Sequence, residues 1–180
     1  TKNDPLADLV AEFKKTTGYP ESADEQHRSD REQFAKILQA EVLPDIDIGE
    51  LRRIYNSGRY GGPGPQSTLN VTLRDADAAG YDRILEALVF QLWGDGEDAQ
   101  RIDELLAGKR KISGLGESVI MKLLAIAHPD KYVPIFPFTG PMGKRRMLGL
   151  LDLEEPEGSR GELQVESSRA IHRRLNRFFP

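Results

Sequence analysis

The chain contains 180 residues, of which 38% are hydrophobic and 30% are charged, and it has no cysteine. This balance is typical of a globular protein with enough chain to bury a core. The missing cysteines exclude disulfides and thiolate metal sites, and they are compatible with a reducing cytoplasm, where we expect the protein. No apolar run approaches the roughly 20 residues of a membrane-spanning helix, so we expect no membrane partner.

The net charge of −4 conceals a strong asymmetry along the chain. Residues 1–107 carry 12 basic and 21 acidic side chains, whereas residues 108–147 carry 8 basic and 2 acidic ones. Such a concentration of positive charge in an otherwise acidic chain favours a nucleic-acid contact within that segment. Binding of DNA by this segment should weaken strongly as salt is added.

Capping residues followed by apolar residues at helical spacing predict a series of amphipathic helices in the acidic part of the chain. The predicted starts are Asp4-Pro5, Ser22, Asp47, Ser67 and Asp77, and a further short helix carries Ile102, Leu105 and Leu106. The helix from Ser22 should turn Val42 inward and end at Pro44. The strongest helix should run from Asp77 to Trp93, with Trp93 on its core stripe.

Residues 58–65, Gly-Arg-Tyr-Gly-Gly-Pro-Gly-Pro, form a loop by composition. A loop this rich in glycine and proline is usually a plain connector. Arg59 and Tyr60 offer an alternative interpretation, since arginine donates to phosphates or base edges and a tyrosine ring stacks on bases. Functional groups also favour loops on rigid scaffolds, so both interpretations stay open.

Residues 112–116, Ile-Ser-Gly-Leu-Gly, lie between two helical patterns and predict a helix-hairpin-helix. Two glycines let the main chain approach a phosphate closely, and the following helix presents free N–H groups and its positive dipole end. Lys109, Arg110, Lys111 and Lys122 add positive charge nearby. The alternative is an ordinary glycine-containing turn between two packed helices.

The rest of the chain predicts an extended segment held by three prolines, a basic-edged helix over residues 143–151 and a final helix. We find no alternating strand pattern of useful length, so we expect an all-α fold with a single helical domain. Its predicted parts are an acidic helical part (1–107), a basic helix-hairpin-helix part (108–151) and a C-terminal helix (152–180). The histidines lack metal-ligand spacing and a partial phosphate-loop pattern fails at Arg145, so we expect neither a metal nor a cofactor.

Residues 112–150 resemble the hairpin and following segment of helix-hairpin-helix DNA glycosylases. In that family, the segment after the hairpin helix carries a catalytic Asp just past an apolar pair. The corresponding residues here, 135–139, are Ile-Phe-Pro-Phe-Thr and contain no Asp, and the glycosylase lysine has no convincing counterpart. The resemblance therefore implies that the chain contacts DNA but does not catalyse the glycosylase reaction. Phe136 and Phe138 are candidates either for a base pocket or for core packing.

The whole chain is also similar to the amino-terminal region of McrB-like AAA+ restriction proteins. The similarity rests on residues 54–61 (Ile-Tyr-Asn-Ser-Gly-Arg-Tyr-Gly), 92–96 (Leu-Trp-Gly-Asp-Gly) and 111–147. Such regions recognise DNA, often modified DNA, while a nucleotide-driven motor and a nuclease subunit supply the enzymatic activities. The similarity implies a recognition module whose partners are DNA, an AAA+ motor on the same chain and a nuclease subunit.

These patterns favour a non-enzymatic DNA-binding module of a restriction or defence system. The residues predicted to contact the DNA backbone are Lys111, Ser113, Gly114, Leu115, Gly116, Glu117, Ser118, Lys122, Lys144, Arg145 and Arg146. Those predicted to read a base or line a pocket are Arg59, Tyr60, Phe136 and Phe138. The alternatives are a glycosylase-like base-excision enzyme with a displaced catalytic acid, and a protein-interaction module in which the hairpin is only a packing turn.

Overall fold

Nine α-helices and one short 3₁₀ helix make up the regular structure of residues 4–58 and 60–179, which the computed structural model describes. The helices are α1 (Pro5–Thr17), α2 (Ser22–Ile37), α3 (Ile48–Asn56), α4 (Ser67–Asp75), α5 (Ala78–Trp93), α6 (Asp98–Ala107), α7 (Glu117–Ala127), α8 (Lys144–Leu150) and α9 (Arg160–Leu175), with the 3₁₀ helix at Leu43–Asp45. These residues contain no β-strand, which confirms the all-α prediction. No helix in this part of the chain is long and apolar enough to cross a membrane.

Three of the predicted helix starts are confirmed by their capping hydrogen bonds. The Asp4 carboxylate accepts from the Leu6 N–H before α1, and the Asp47 carboxylate accepts from Gly49 and Glu50 before α3. Asp77 caps α5 in the same way. Each aspartate satisfies an N–H group that the first helical turn leaves without an intrahelical partner.

The second helix differs from its prediction at both ends. Its capping box is formed by Glu21 and Asp24, one residue earlier than predicted, and the helix ends at Ile37 rather than at Pro44. Beyond it, the Leu43 N–H donates to the Gln39 carbonyl, and this turn brings Leu43 instead of Val42 into the core. The Val42 side chain is therefore 40% exposed.

The core is built around α7, a helix that is apolar on almost every side. Eight of its residues, from Val119 to Ile126, are buried beneath α2, α3, α5 and α6. A helix that is hydrophobic all round must be enclosed by other elements. The residues immediately before α7, which form the candidate site, are therefore attached to a helix that four other helices enclose.

A second apolar cluster joins the two ends of the chain to α8. Its buried members, Val133, Leu148, Leu151 and Ile171, contact Leu6 of α1 and partly buried residues of α9. Helix α9 packs against α6 as well as α8, so it bridges the acidic and the basic parts of the chain.

Trp93 departs from the prediction that its whole side chain belongs to the core. It is 39% exposed and its indole N–H donates to the Leu38 carbonyl at 2.8 Å, while its ring meets that of His128 edge-on. An indole has a polar N–H that needs a partner, and this favours a position at the edge of the core.

We expect Gly161→Ala to lower the free energy of unfolding by about 1–3 kcal/mol, as overpacking does. A Cβ atom on Gly161 would lie 1.9 Å from the Ala99 carbonyl oxygen, so α9 and α6 would have to separate. Urea denaturation measures the change. The matched control is Gly149→Ala in α8, where a Cβ meets no described atom within 4 Å and helix propensity should leave stability equal or higher. Equal stability of the two variants would contradict the close α6–α9 contact.

Candidate functional site

The segment between α6 and α7 contains a tight turn at residues 112–116, called the 112–116 turn. The Leu115 N–H donates to the Ile112 carbonyl at 3.1 Å, and the Gly116 N–H donates to the Gly114 carbonyl at 3.0 Å. Gly114 has φ +81°, a left-handed conformation that favours glycine. The Ile112 and Leu115 side chains are buried and attach the turn to the core.

Gly114 also lies directly against the first turn of α4. A Cβ atom at this position would come within 2.3 Å of the Leu69 backbone nitrogen and 2.6 Å of its Cα atom. Both the left-handed φ and this contact therefore require glycine. The close contact with Leu69 could not be predicted from the sequence, because Leu69 is 45 residues earlier in the chain.

A cleft of about 300 Å³ opens between the 112–116 turn and the start of α4. Its lining includes Pro63, Gln66, Thr68, Gly114, Gly116 and Ser118. Among the described residues, no side chain caps the start of either α4 or α7 by a hydrogen bond. Two helix N-termini, with their unpaired N–H groups and positive dipole ends, thus meet at one cleft.

Glu117, the first residue of α7, would repel an anion if its charge were free. Its carboxylate instead accepts a hydrogen bond from the Gln164 side chain and forms an ion pair with Arg160, with Oε1 3.1 Å from Nε. Both partners belong to α9, which explains how a glutamate can border an anion site. Of Glu117, only the backbone amide can serve the predicted phosphate contact.

Lys122 corrects the sequence prediction, because its side chain is completely buried. Its Nζ donates to the Ser57 carbonyl and, at 3.0 Å, to the Gly61 carbonyl. Burial lowers the pKa of Lys122 to about 8. The ammonium therefore holds the glycine-rich loop against α7 and cannot reach a phosphate outside the protein.

Lys144 requires the same correction. It has no exposed surface, and its Nζ donates to the Gln164 side-chain oxygen. Burial lowers the pKa of Lys144 to about 7, and the negative charge of Glu117 partly opposes this shift. Two of the eight basic side chains in residues 108–147 are thus interior.

The predicted base-reading residues do not form an open pocket in this structure. Phe136 and Phe138 are buried, and Phe136 packs so closely on Gly61 that a Cβ there would be 2.9 Å from its ring. Tyr60 is half-buried, and its hydroxyl donates to the Ala125 carbonyl at 3.3 Å, so its ring is committed to the core. Arg59 lies outside the described residues.

Five of the remaining predicted residues reach the surface, whereas Leu115 is buried and its N–H is bonded to the Ile112 carbonyl. Ser113 and Gly116 are exposed on the 112–116 turn, Lys111 is exposed just before it, and Arg145 and Arg146 are exposed on α8. Arg146 donates to the Pro141 carbonyl at 3.1 Å, while Arg145 donates to the Glu155 carboxylate at 2.7 Å. The structure therefore gathers fewer free cations beside the turn than the sequence charge indicates.

Arg160, Gln164 and Glu155 belong to the surroundings of the site but were missed by sequence reasoning. Arg160 and Gln164 contact Glu117 from 43 and 47 residues further along the chain. Ser159 and Glu162 form a capping box in the structure, and this pattern was the local signal that could have located the start of α9. It gives no information on which helix α9 meets.

No protein-family model matches the chain, and neither the curated proteins nor the solved structures gave a significant match. The resemblances to helix-hairpin-helix glycosylases and to McrB-like regions therefore stay predictions, and a function has to be inferred from the contacts described above.

Proposed function

We propose that this chain is a DNA-binding module that holds a backbone phosphate of duplex DNA at the 112–116 turn. The observation that carries the proposal is the cleft in which the uncapped starts of α4 and α7 meet the exposed Gly116. Unpaired N–H groups and two positive dipole ends suit an oxyanion, and glycine at position 116 leaves room for its close approach.

The charges around the turn support the same ligand. Ser113 is exposed on the turn and Lys111 is exposed immediately before it, outside the lining of the cleft. The carboxylate of Glu117 is occupied by Gln164 and Arg160. Because Lys122 and Lys144 are interior, we assign the salt-dependent part of binding to Lys111, Arg145 and Arg146. About three phosphate contacts of this kind correspond to a slope of about −3 in log affinity against log salt.

Contacts of this kind position a protein on DNA without reading its sequence. The proposed module would thus hold the DNA backbone. This role agrees with the similarity to the DNA-recognition regions of restriction proteins, which act together with a motor and a nuclease subunit. The buried Phe136 and Phe138 offer no room for a flipped base in this conformation, so base flipping is not part of the proposal.

The proposal is tested with Gly116→Glu, measured by fluorescence anisotropy on a labelled duplex of about 20 base pairs across a salt series. A Cβ at Gly116 meets no described atom within 4 Å, so the substitution leaves the fold intact and places a carboxylate where the phosphate would lie. We expect at least about a tenfold loss of affinity, typical of losing a charge-assisted contact.

Gly116→Gln is the matched control, since it has the same size without the charge and should retain most of the binding. Lys111→Ala should weaken binding and reduce the salt slope by about 1. Wild-type protein that shows no duplex binding at about 50 mM salt would overturn the proposed function and favour the protein-interaction alternative. Equal affinity of Gly116→Glu and Gly116→Gln would remove the turn from the binding site.

A further inference from the structure

Two arginines lie against one buried aromatic ring beside the start of α7. The guanidinium carbons of Arg145 and Arg160 are 5.2 Å and 5.9 Å from the ring centroid of Phe138. The ring has no exposed surface, whereas the arginine side chains are 55% and 42% exposed. The ring therefore fixes the inner side of each guanidinium by a cation–π contact and leaves the outer side open to solvent.

This arginine pair is continuous with the 112–116 turn. The Arg160 Nε is 3.1 Å from the carboxylate of Glu117, the first residue after that turn. Arg145 comes from α8 and Arg160 from the first turn of α9, so three separate elements converge at this point. The sequence separates these residues, and only the fold shows that they share one surface.

Each arginine already holds a carboxylate, but the two carboxylates are held differently. Glu117 is largely buried and has a second partner in Gln164, so it is a fixed part of the structure. Glu155 is 44% exposed and contacts Nε and Nη2 of Arg145, each at 2.7 Å. An exposed ion pair of this kind contributes little to stability, so another anion can replace Glu155.

We propose that Arg145 and Arg160, stacked on Phe138, form a second site for a DNA backbone phosphate, and that Glu155 occupies Arg145 until a phosphate replaces it. The proposal rests on the proposed function, because it places this phosphate beside the one held at the 112–116 turn. A guanidinium donates to carboxylate and phosphate oxygens with the same planar geometry, so the Glu155 carboxylate marks where the phosphate binds. Stacking on a buried ring reduces the freedom that each arginine loses on binding.

Glu155→Gln tests this displacement directly in the duplex-binding assay. Removing the competing carboxylate should strengthen binding about fivefold at about 50 mM salt, which is the scale of an exposed ion pair. The salt slope should become steeper by up to about 1, because Arg145 then contributes its full charge. Arg145→Ala and Arg160→Ala should each weaken binding.

Two controls separate displacement of Glu155 from a general change in charge. Glu157→Gln removes the same charge from the same segment. The ion pair and the hydrogen bond of Arg145 with a carboxylate go to Glu155 and not to Glu157, so Glu157→Gln should strengthen binding much less. In an Arg145→Ala background, Glu155→Gln should give no further gain. A gain of equal size with Glu157→Gln, or one that persists without Arg145, would overturn the proposal.

The outcomes distinguish this site from the proposed function. If Gly116→Glu abolishes duplex binding while Glu155→Gln and Arg145→Ala change nothing, the second site is wrong. The function then stands, with its salt-dependent part assigned to Lys111 and Arg146 alone. If the wild-type chain binds no duplex, the function fails, and inorganic pyrophosphate then tests the arginine pair alone. In that titration, the Nε–H NMR signals of Arg145 and Arg160 should shift more in Glu155→Gln than in wild type, and unchanged signals in both would overturn the site.

Discussion

Replacing Gln164 with leucine should lower the free energy of unfolding by about 3 kcal/mol, although the two side chains have similar volume. Gln164 is fully buried on α9, where its side-chain oxygen accepts from the Lys144 ammonium. Its amide N–H group donates to the Glu117 carboxylate and, at 3.1 Å, to the Phe136 carbonyl. Leucine satisfies none of these groups, and it leaves the Lys144 amine, the Phe136 carbonyl and the Glu117 carboxylate with lost hydrogen bonds in the interior, which is among the most costly defects in a core.

The size of this effect should depend on whether Lys144 is present. In Lys144→Met, the Gln164→Leu substitution should cost much less, because an apolar pair of similar shape replaces the polar one. Urea denaturation of the wild type, both single variants and the double variant gives the coupling energy directly. Additive effects of the two substitutions would show that Lys144 and Gln164 do not depend on each other.

Most helix positions could be predicted from the sequence because the signals are local. An aspartate that caps a helix, such as Asp47, acts on N–H groups two or three residues away, and Gly18 ends α1 in its own left-handed conformation. The prediction was wrong at Val42, where the chain left the helix before the expected proline. The deciding contact there was the burial of Leu43, which depends on tertiary packing.

The surroundings of the site could not be predicted in the same way. Lys122 was predicted to be a surface cation because it is basic. It lies between Met121 and Leu123 in a helix that is enclosed on nearly all sides. The apolar character of α7 was the available signal, and it indicated that a lysine there would be interior. For Lys144, no local signal existed, because its partner Gln164 lies on a different helix.

The two interior lysines should make the free energy of unfolding increase with pH between about 7 and 10. Burial lowers the pKa of Lys144 to about 7 and that of Lys122 to about 8, against an ordinary value of 10.5. In this interval, the unfolded chain binds more protons than the folded one. Raising the pH therefore releases protons from the unfolded chain and increases the free energy of unfolding. Each lysine contributes a slope that approaches about 1.4 kcal/mol per pH unit.

Urea denaturation at a series of pH values measures this slope. The Lys144→Met variant shows how much of the increase between about pH 7 and 8 comes from Lys144. Without Lys144, the rise should begin near pH 8 and should be about half as steep, since Lys122 alone then titrates.

Above about pH 10 the trend should reverse, because burial raises the pKa of Tyr55 and Tyr81 to about 12. The unfolded tyrosines then ionise while the folded ones stay neutral, which favours unfolding. Stability that is flat from pH 7 to 10 in the wild type would mean that water reaches both ammonium groups.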